Sequence, residues 1–352
     1  MTPIRIVVID DSAFMRKIIT DMLSSDNRIE VVATARNGKY GLQKIQEHKP
    51  DVVTLDVEMP VMDGITALQH IMELIPTPVI MLSSVTEEGT TKTVQAISNG
   101  AIDFITKPSG AISLNIDEMK DEIITKVIVA SQAKIVKKSP LKDTASITNI
   151  AAPKRYSKSI VTIGASTGGP KALQRVLTDL RSDFSAPILI VQHMPAGFTK
   201  SLAERLDKVA GIRIKEASHG EIINEKTAYI APGNYHIRLQ TVGTEHAIIL
   251  TQEPQRNGHR PAVDVLFESL AKVEEVNKIA AVLTGMGSDG SRGINVLKES
   301  DPESVIIAEA EESTVVYGMP KAAVKTSHVN QIVHLHKVGD TITKLVNRPG
   351  GM

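Results

Sequence analysis

The 352-residue chain contains no cysteine and no tryptophan. Without thiols there is no disulfide, no thiolate metal centre and no cysteine nucleophile, so any covalent chemistry has to rest on another side chain. Aromatic residues make up only 3% of the sequence, which leaves Val, Ile, Leu, Ala and Met to fill the cores, a composition suited to parallel strands buried on both faces. Net charge is also missing: 40 basic side chains balance 40 acidic ones, so no global field draws the protein to nucleic acid or anionic lipid. No apolar run approaches the ~18 residues of a membrane span. The first residues run straight into a strand pattern, without the basic flank and apolar core of a secretory signal. A cytoplasmic location is expected.

At about 150 residues per domain the length predicts two domains. From Ile4 to about Ala130, short β-branched runs alternate with helical patterns, the strands being expected at Ile4–Ile9, Glu30–Thr34, Val52–Leu55, Val79–Leu82 and Ile102–Thr106. The first helix carries Phe14, Met15, Ile18, Ile19, Met22 and Leu23 at the spacing of one apolar stripe. Five such βα units predict a five-stranded parallel sheet covered on both faces, within residues 1–130.

Periodicity fades over residues 131–158, where Lys134, Lys137, Lys138, Lys142, Lys154, Arg155 and Lys158 face the single acid Asp143, and the stretch reads as an interdomain linker with no assigned function. A second α/β domain is expected over 159–349. Its strands are read at Ser159–Gly164, Ile188–Val191, Ala247–Leu250, Ile279–Leu283 and Val305–Ala308, its helices near Lys171–Leu180, Ser201–Leu206, Val263–Ala271 and Gly293–Lys298. The fold class predicted is a mostly parallel, three-layer α/β/α domain.

In open α/β sheets, ligands gather at the carboxyl ends of strands. In the first half these ends carry Asp10, Asp11, Asp56, Ser83, Lys107 and Pro108. Carboxylates crowded on one rim repel one another, and a hard divalent cation with oxygen ligands, Mg²⁺, is the physical remedy. A metal beside Lys107 would neutralise phosphoryl oxygens while Asp56 attacks phosphorus. Helix capping explains any one of these residues and explains the whole set poorly.

In the second half, Gly164-Ala165-Ser166-Thr167-Gly168-Gly169-Pro170 follows a strand and opens a helix, a context for a nucleophile or a bound phosphate. A dinucleotide site wants glycine where Ser166 stands. Taken alone, Ser166 reads more readily as a helix N-cap than as a nucleophile, since N-cap serines are far commoner. Histidine and carboxylate partners are sought by the same strand-end rule, which selects His193 after Ile188–Val191 and Asp289 in the glycine-rich loop after Ile279–Leu283. His219, His236 and His259 lie in loops and stay unassigned. His334 and His336 alternate as on one strand face and read as an ordinary surface pair rather than a metal site.

The first half resembles the receiver domain of two-component response regulators, through Asp10-Asp11, Asp56 in TLDVEMPVMDG, Ser83, Phe104 and Lys107-Pro108. GASTGGP, QHMPAGFTKSLAERLD, YIAPGNYH, RPAVDVLF, LTGMGSDGSRG and AEESTVVYGMP are similar to the chemotaxis protein-glutamate methylesterase family. The receiver resemblance implies phosphorylation of Asp56 by a chemotaxis histidine kinase, Mg²⁺ held at Asp10, Asp11, Asp56 and Glu58, switch roles for Ser83 and Phe104, and phosphoryl contact by Lys107. The second resemblance implies Ser166 as nucleophile, His193 as base and Asp289 as its orienter, with methyl-accepting chemoreceptors as substrate, ester hydrolysis and glutamine deamidation as reactions, and no cofactor for that chemistry. Backbone amides at Thr167 or Met286 are the expected oxyanion donors, and a monomer is expected. The competing reading, a receiver joined to an inactive or nucleotide-binding module, has no need of Ser166, His193 and Asp289 together, and no helix-turn-helix pattern supports a DNA-binding output.

Overall fold

The structure, a computed structural model, describes residues 2–108, 116–133 and 156–348. The basic stretch from Lys134 to Arg155 and the residues from 349 onward lie outside the described residues. The chain divides into two compact units, Met1–Ser139 and Pro140–Met352.

The first unit runs β1 (Ile4–Ile9), α1 (Ala13–Ser24), β2 (Ile29–Ala35), α2 (Gly38–His48), β3 (Val52–Asp56), α3 (Gly64–Leu74), β4 (Val79–Ser83), α4 (Glu87–Ser98), β5 (Asp103–Thr106) and α5 (Ile116–Ser131). Its five strands pair in parallel in the order β2-β1-β3-β4-β5. Strands β3 and β4 are buried along their whole length, which is why they read as unbroken apolar runs rather than alternating ones. Four helices open on a residue whose side chain accepts an amide of the first turn: Ser12, Asn37, Asp63 and Thr86. These caps stop each strand-to-helix turn from extending and aim the strand ends at one rim.

The second unit continues with β6 (Ser159–Ala165), α6 (Gly169–Thr178), β7 (Ile188–Gln192), α7 (Phe198–Asp207), β8 (Arg213–Glu216), β9 (Thr227–Ile230), β10 (His236–Val242), β11 (Glu245–Thr251), α8 (Val263–Ala271), β12 (Asn277–Val282), α9 (Ser291–Ser300), β13 (Val305–Glu309), α10 (Met319–Lys325), β14 (Gln331–Val333) and α11 (Leu335–Val346). Seven strands form a wholly parallel sheet in the order β14-β13-β12-β6-β7-β9-β8. Helices α6, α7 and α11 pack together, as do α8, α9 and α10. The apolar run Ala247–Leu250 belongs to no part of this sheet; it pairs antiparallel with β10 as a separate ribbon. Chain order reverses between β6 and β12, so the loops after β6, β7 and β12 leave the sheet side by side, at the switch point where open α/β sheets place their ligands.

Candidate active sites

In the first unit, burial leaves Asp10 0% and Asp56 3% exposed, whereas Asp11 faces solvent. Carboxylate oxygens of the three lie within 4.8 Å of one another. Lys107 Nζ stands 2.8 Å from Asp10 Oδ2 and 2.8 Å from Asp56 Oδ2. Burial pushes the Asp56 carboxyl up to about 6, against the pull of Lys107 and with the Asp10 charge adding to the rise. An all-oxygen set of three acids with one open side suits Mg²⁺. Glu58 does not bring its carboxylate into the group: Oε1 lies 3.4 Å from Lys92 Nζ, and what it offers the cluster is a backbone N–H to Asp56 Oδ1 at 3.4 Å.

Ser83 is fully buried; its hydroxyl accepts from Thr93 Oγ1 at 2.5 Å and is 3.2 Å from the Gly89 carbonyl, so it is tied to the start of α4. The Lys107 amide donates to the Ser83 carbonyl at 2.7 Å, which places the two residues on adjacent strand ends. Phe104 is 4% exposed, with Lys126 Nζ 5.3 Å from its ring centre.

In the second unit the β6–β7 register pairs Ala165 with Gln192, and the His193 amide donates to the Ala165 carbonyl at 3.1 Å. Ser166 and His193 therefore follow directly on a paired position of adjacent strands. Gln192 Nε2 donates to the Ser166 carbonyl at 2.9 Å and the Ser166 amide to the Thr284 carbonyl at 3.0 Å, fixing the serine from both neighbouring strand ends. The turn needs its glycines. Gly168 has φ 77°, and a Cβ there would meet Val315 at 2.7 Å; a Cβ on Gly285 would meet Ser166 Cβ at 2.8 Å.

His193 Nε2 lies 2.8 Å from Asp289 Oδ2, both side chains being at least 95% buried. Among the described residues, Nδ1 of His193 has no hydrogen-bond partner. The ring thus offers Asp289 its Nε2–H and keeps the Nδ1 lone pair as the basic site. Asp289 also accepts from the Val263 amide (2.7 Å), the Asp264 amide (3.0 Å), Asn257 Nδ2 (3.1 Å) and its neighbour Gly290 (3.0 Å). Burial pushes this carboxyl up, but the bonds from His193, Val263 and Asp264 outweigh it and hold it below the usual carboxylate range.

Three residues that sequence reasoning did not select belong to this site. Asp264 accepts the Gly290 and Gly293 amides at 2.9 and 2.8 Å, and burial, with the Asp289 charge adding, raises its carboxyl. Asn257 bridges Asp264 and Asp289. His259 stacks on His193, ring centres 3.8 Å apart and planes at 17°. The Asn257-Gly258 pair was the available signal, since it marks a two-residue hairpin turn. His219 and His236 stay away: His219 Nδ1 accepts from the Leu250 amide at 3.1 Å and His236 Nε2 lies 3.1 Å from the Pro254 carbonyl. His334 and His336 are not a surface pair on a strand: His334 is 2% exposed and stands at the N-cap position of α11 without a side-chain capping bond, His336 lies within that helix, and the ring centres are 5.9 Å apart.

Of the expected oxyanion donors, Met286 has an amide with no hydrogen bond among the described residues and follows Gly285, which abuts Ser166. Thr167 lies in the turn just before α6 and is buried, its carbonyl accepting from Thr284 Oγ1 at 3.0 Å.

Residues 161–342 match the family model for CheB methylesterase, and residues 6–116 match that for the response regulator receiver domain. The chain belongs to the CheB methylesterase family. A relative from Oceanobacillus iheyensis, named protein-glutamate methylesterase/protein-glutamine glutaminase, is 53% identical over 98% of this chain and 99% of its own length. One from Bacillus subtilis with the same name is 44% identical, again over 98% of this chain and 99% of its own length. The crystal structure of the Thermotoga maritima CheB methylesterase catalytic domain is 38% identical and covers 53% of this chain and 98% of that domain, with a TM-score of 0.51. Among CheB family members this chain thus has both parts, receiver and catalytic domain. No helix among the described residues is long and apolar enough to cross a membrane.

Proposed function

We propose that the chain is a cytoplasmic, monomeric protein-glutamate methylesterase and protein-glutamine glutaminase acting on methyl-accepting chemoreceptors, activated by phosphorylation of Asp56 by a chemotaxis histidine kinase. The observation that carries the hydrolase reading is the 2.8 Å contact of His193 Nε2 with buried Asp289, on the loop beside Ser166, with Nδ1 unpartnered among the described residues.

Ser166 Oγ attacks the γ-carbonyl of a glutamate methyl ester while His193 Nδ1 takes the hydroxyl proton. Asp289 stays ionised, holds the ring and stabilises the imidazolium. An amide at Met286 or Thr167 receives the developing oxyanion. His193 returns the proton to departing methanol. Water, deprotonated by the same nitrogen, then cleaves the acyl-serine to a free glutamate carboxylate and Ser166. With a glutamine the leaving group is ammonia.

In the receiver, Asp10, Asp11 and Asp56 are the residues that would hold Mg²⁺, which supplies charge neutralisation at the phosphoryl group. Asp56 accepts the phosphoryl group, and Lys107, 2.8 Å away, pairs with its oxygens. Ser83 and Phe104 carry the switch toward α4 and β5. Replacing Ser166 with Ala is expected to lower methanol release from a methylated receptor fragment by at least about 10⁴-fold; turnover near the parent rate would take Ser166 out of the mechanism.

A further inference from the structure

Asp264 and Asp289 are 3% and 2% exposed. Two buried carboxylates this closely linked repel each other, and each must find donors enough to remain charged. Most of the donors are backbone amides at helix starts. Two side chains join them: the His193 ring, which bonds Asp289, and Asn257, whose Nδ2 reaches both acids, 2.9 Å from Asp264 Oδ2 and 3.1 Å from Asp289 Oδ1. A primary amide has two N–H groups, so one proton goes to each acid.

We propose that Asn257 is a positioning residue for the hydrolase reaction: its amide ties Asp264 to Asp289 and keeps Asp289 charged and turned toward His193. The local backbone explains how a residue on an exposed turn reaches this point. Arg256 and His259 exchange both backbone hydrogen bonds, at 3.0 and 2.9 Å, across Asn257 and Gly258, whose φ values are 54° and 77°. That is the two-residue turn with both central residues left-handed, which favours Asn-Gly and Asp-Gly alike. Turn chemistry alone therefore does not choose between Asn and Asp at 257. The acids behind the turn do, because an aspartate has no N–H to offer them and adds a third negative charge. The same turn sets His259 on the face of His193.

The charged and titratable groups around this point come from four elements. They are Asp264 and Glu268 on α8, Asp289 and Arg292 on the β12–α9 segment, His193 after β7, and Arg256 and His259 on the turn itself. Arg256 and Arg292 both approach Glu268, at 2.8 and 3.7 Å. A new carboxylate at 257 raises the negative potential at His193 and favours its imidazolium, so the base becomes available only at higher pH.

The proposal rests on the reading of Ser166, His193 and Asp289 as the reacting set. It is tested by methanol release from a methylated receptor fragment across pH 5.5–9.5. The full chain, Asn257→Asp, Asn257→Gly and Ser166→Ala are compared at fixed Mg²⁺ and acetyl phosphate, each variant as its ratio to the parent at the same pH so that effects in the receiver cancel. Asn257→Asp keeps the turn and is expected to move the acid limb of kcat/KM up by about one pH unit, a loss of about tenfold at low pH that is largely recovered at high pH. Asn257→Gly also keeps the turn but adds no charge, and is expected to lower kcat severalfold with KM unchanged and the limb in place. An Asn257→Asp profile with the parent limb, or an equal movement of the limb in both variants, overturns the proposal. If Asn257→Asp fails to fold, parent kcat in Asn257→Gly overturns it. An active Ser166→Ala would instead remove the underlying reading, whereas an inactive one beside an unmoved Asn257→Asp limb removes only the role of Asn257.

Discussion

Glu309 shows what a single buried acid contributes at the end of a strand. It is fully buried, accepts from the Thr284 amide at 2.8 Å and from Ser313 Oγ at 3.0 Å, and so holds the loop that touches Ser166. Burial raises its carboxyl from 4.5 to about 7. Between those values the folded chain keeps a proton that the unfolded chain has released. The stability tied to it is therefore complete below about pH 4.5 and declines as pH rises through about 7, by on the order of 3 kcal/mol. Glu309→Gln, which accepts the same hydrogen bonds without ionising, should melt near the parent temperature at pH 4.5 and several degrees above it at pH 8; a difference that does not grow with pH would contradict this. Nothing in the sequence singles Glu309 out, because its role arises from a loop 25 residues away. Ser166, His193 and Asp289 were legible for the opposite reason, since a parallel sheet sends every strand end to one rim and a short list of polar residues stands there. Asn257, His259 and Asp264 reach the rim from a turn and a helix start, which strand-end reasoning does not cover. His334 and His336 were misread because the strand ends at Val333 and the alternation there crosses into a helix.

The helix starts of the two units differ in kind. In the receiver, α1 to α4 carry their own capping side chains. In the catalytic unit, α6, α7, α8 and α9 begin after Gly168, Gly197, Ala262 and Gly290, none of which caps with a side chain. Helices α8 and α9 exchange caps instead: Asp289, just before α9, takes the first amides of α8, and Asp264, in the first turn of α8, takes the Gly290 and Gly293 amides of α9. Asp289, the carboxylate proposed to orient His193, is thus fixed by the packing of two helices, and the negative charges sit where helix dipoles favour them. Asp264→Ala leaves the buried Gly293 amide without its acceptor, Gly290 keeping Asp289 Oδ1, at a cost of about 1–3 kcal/mol, and should lower the melting temperature by roughly 2–10 °C. Asp264→Asn, which keeps an acceptor oxygen, should lose less; equal losses would mean that capping is not the source. At this scale the long apolar elements were readable, and Val263–Ala271 was read to the residue. The four-residue strand Arg213–Glu216, with its charged residues, and the antiparallel pairing of Glu245–Thr251 were not, because short edge elements are decided by their neighbours rather than by their own pattern.

The whole molecule joins a receiver domain and a hydrolase in one chain of 352 residues. Each unit has its own parallel sheet and its own rim of functional groups. Covalent coupling of a receiver to an esterase makes sense chemically if the charge state of Asp56 changes the population of the active enzyme. The most direct test is methanol release from a methylated receptor fragment by the full chain, with and without Mg²⁺ and acetyl phosphate, beside Ser166→Ala and Asp56→Asn. Release by the parent should rise severalfold with the phosphodonor, Asp56→Asn should release without stimulation, and Ser166→Ala should not release. Release by Ser166→Ala at the parent rate, or no release by the folded parent under any of these conditions, would contradict the proposed function.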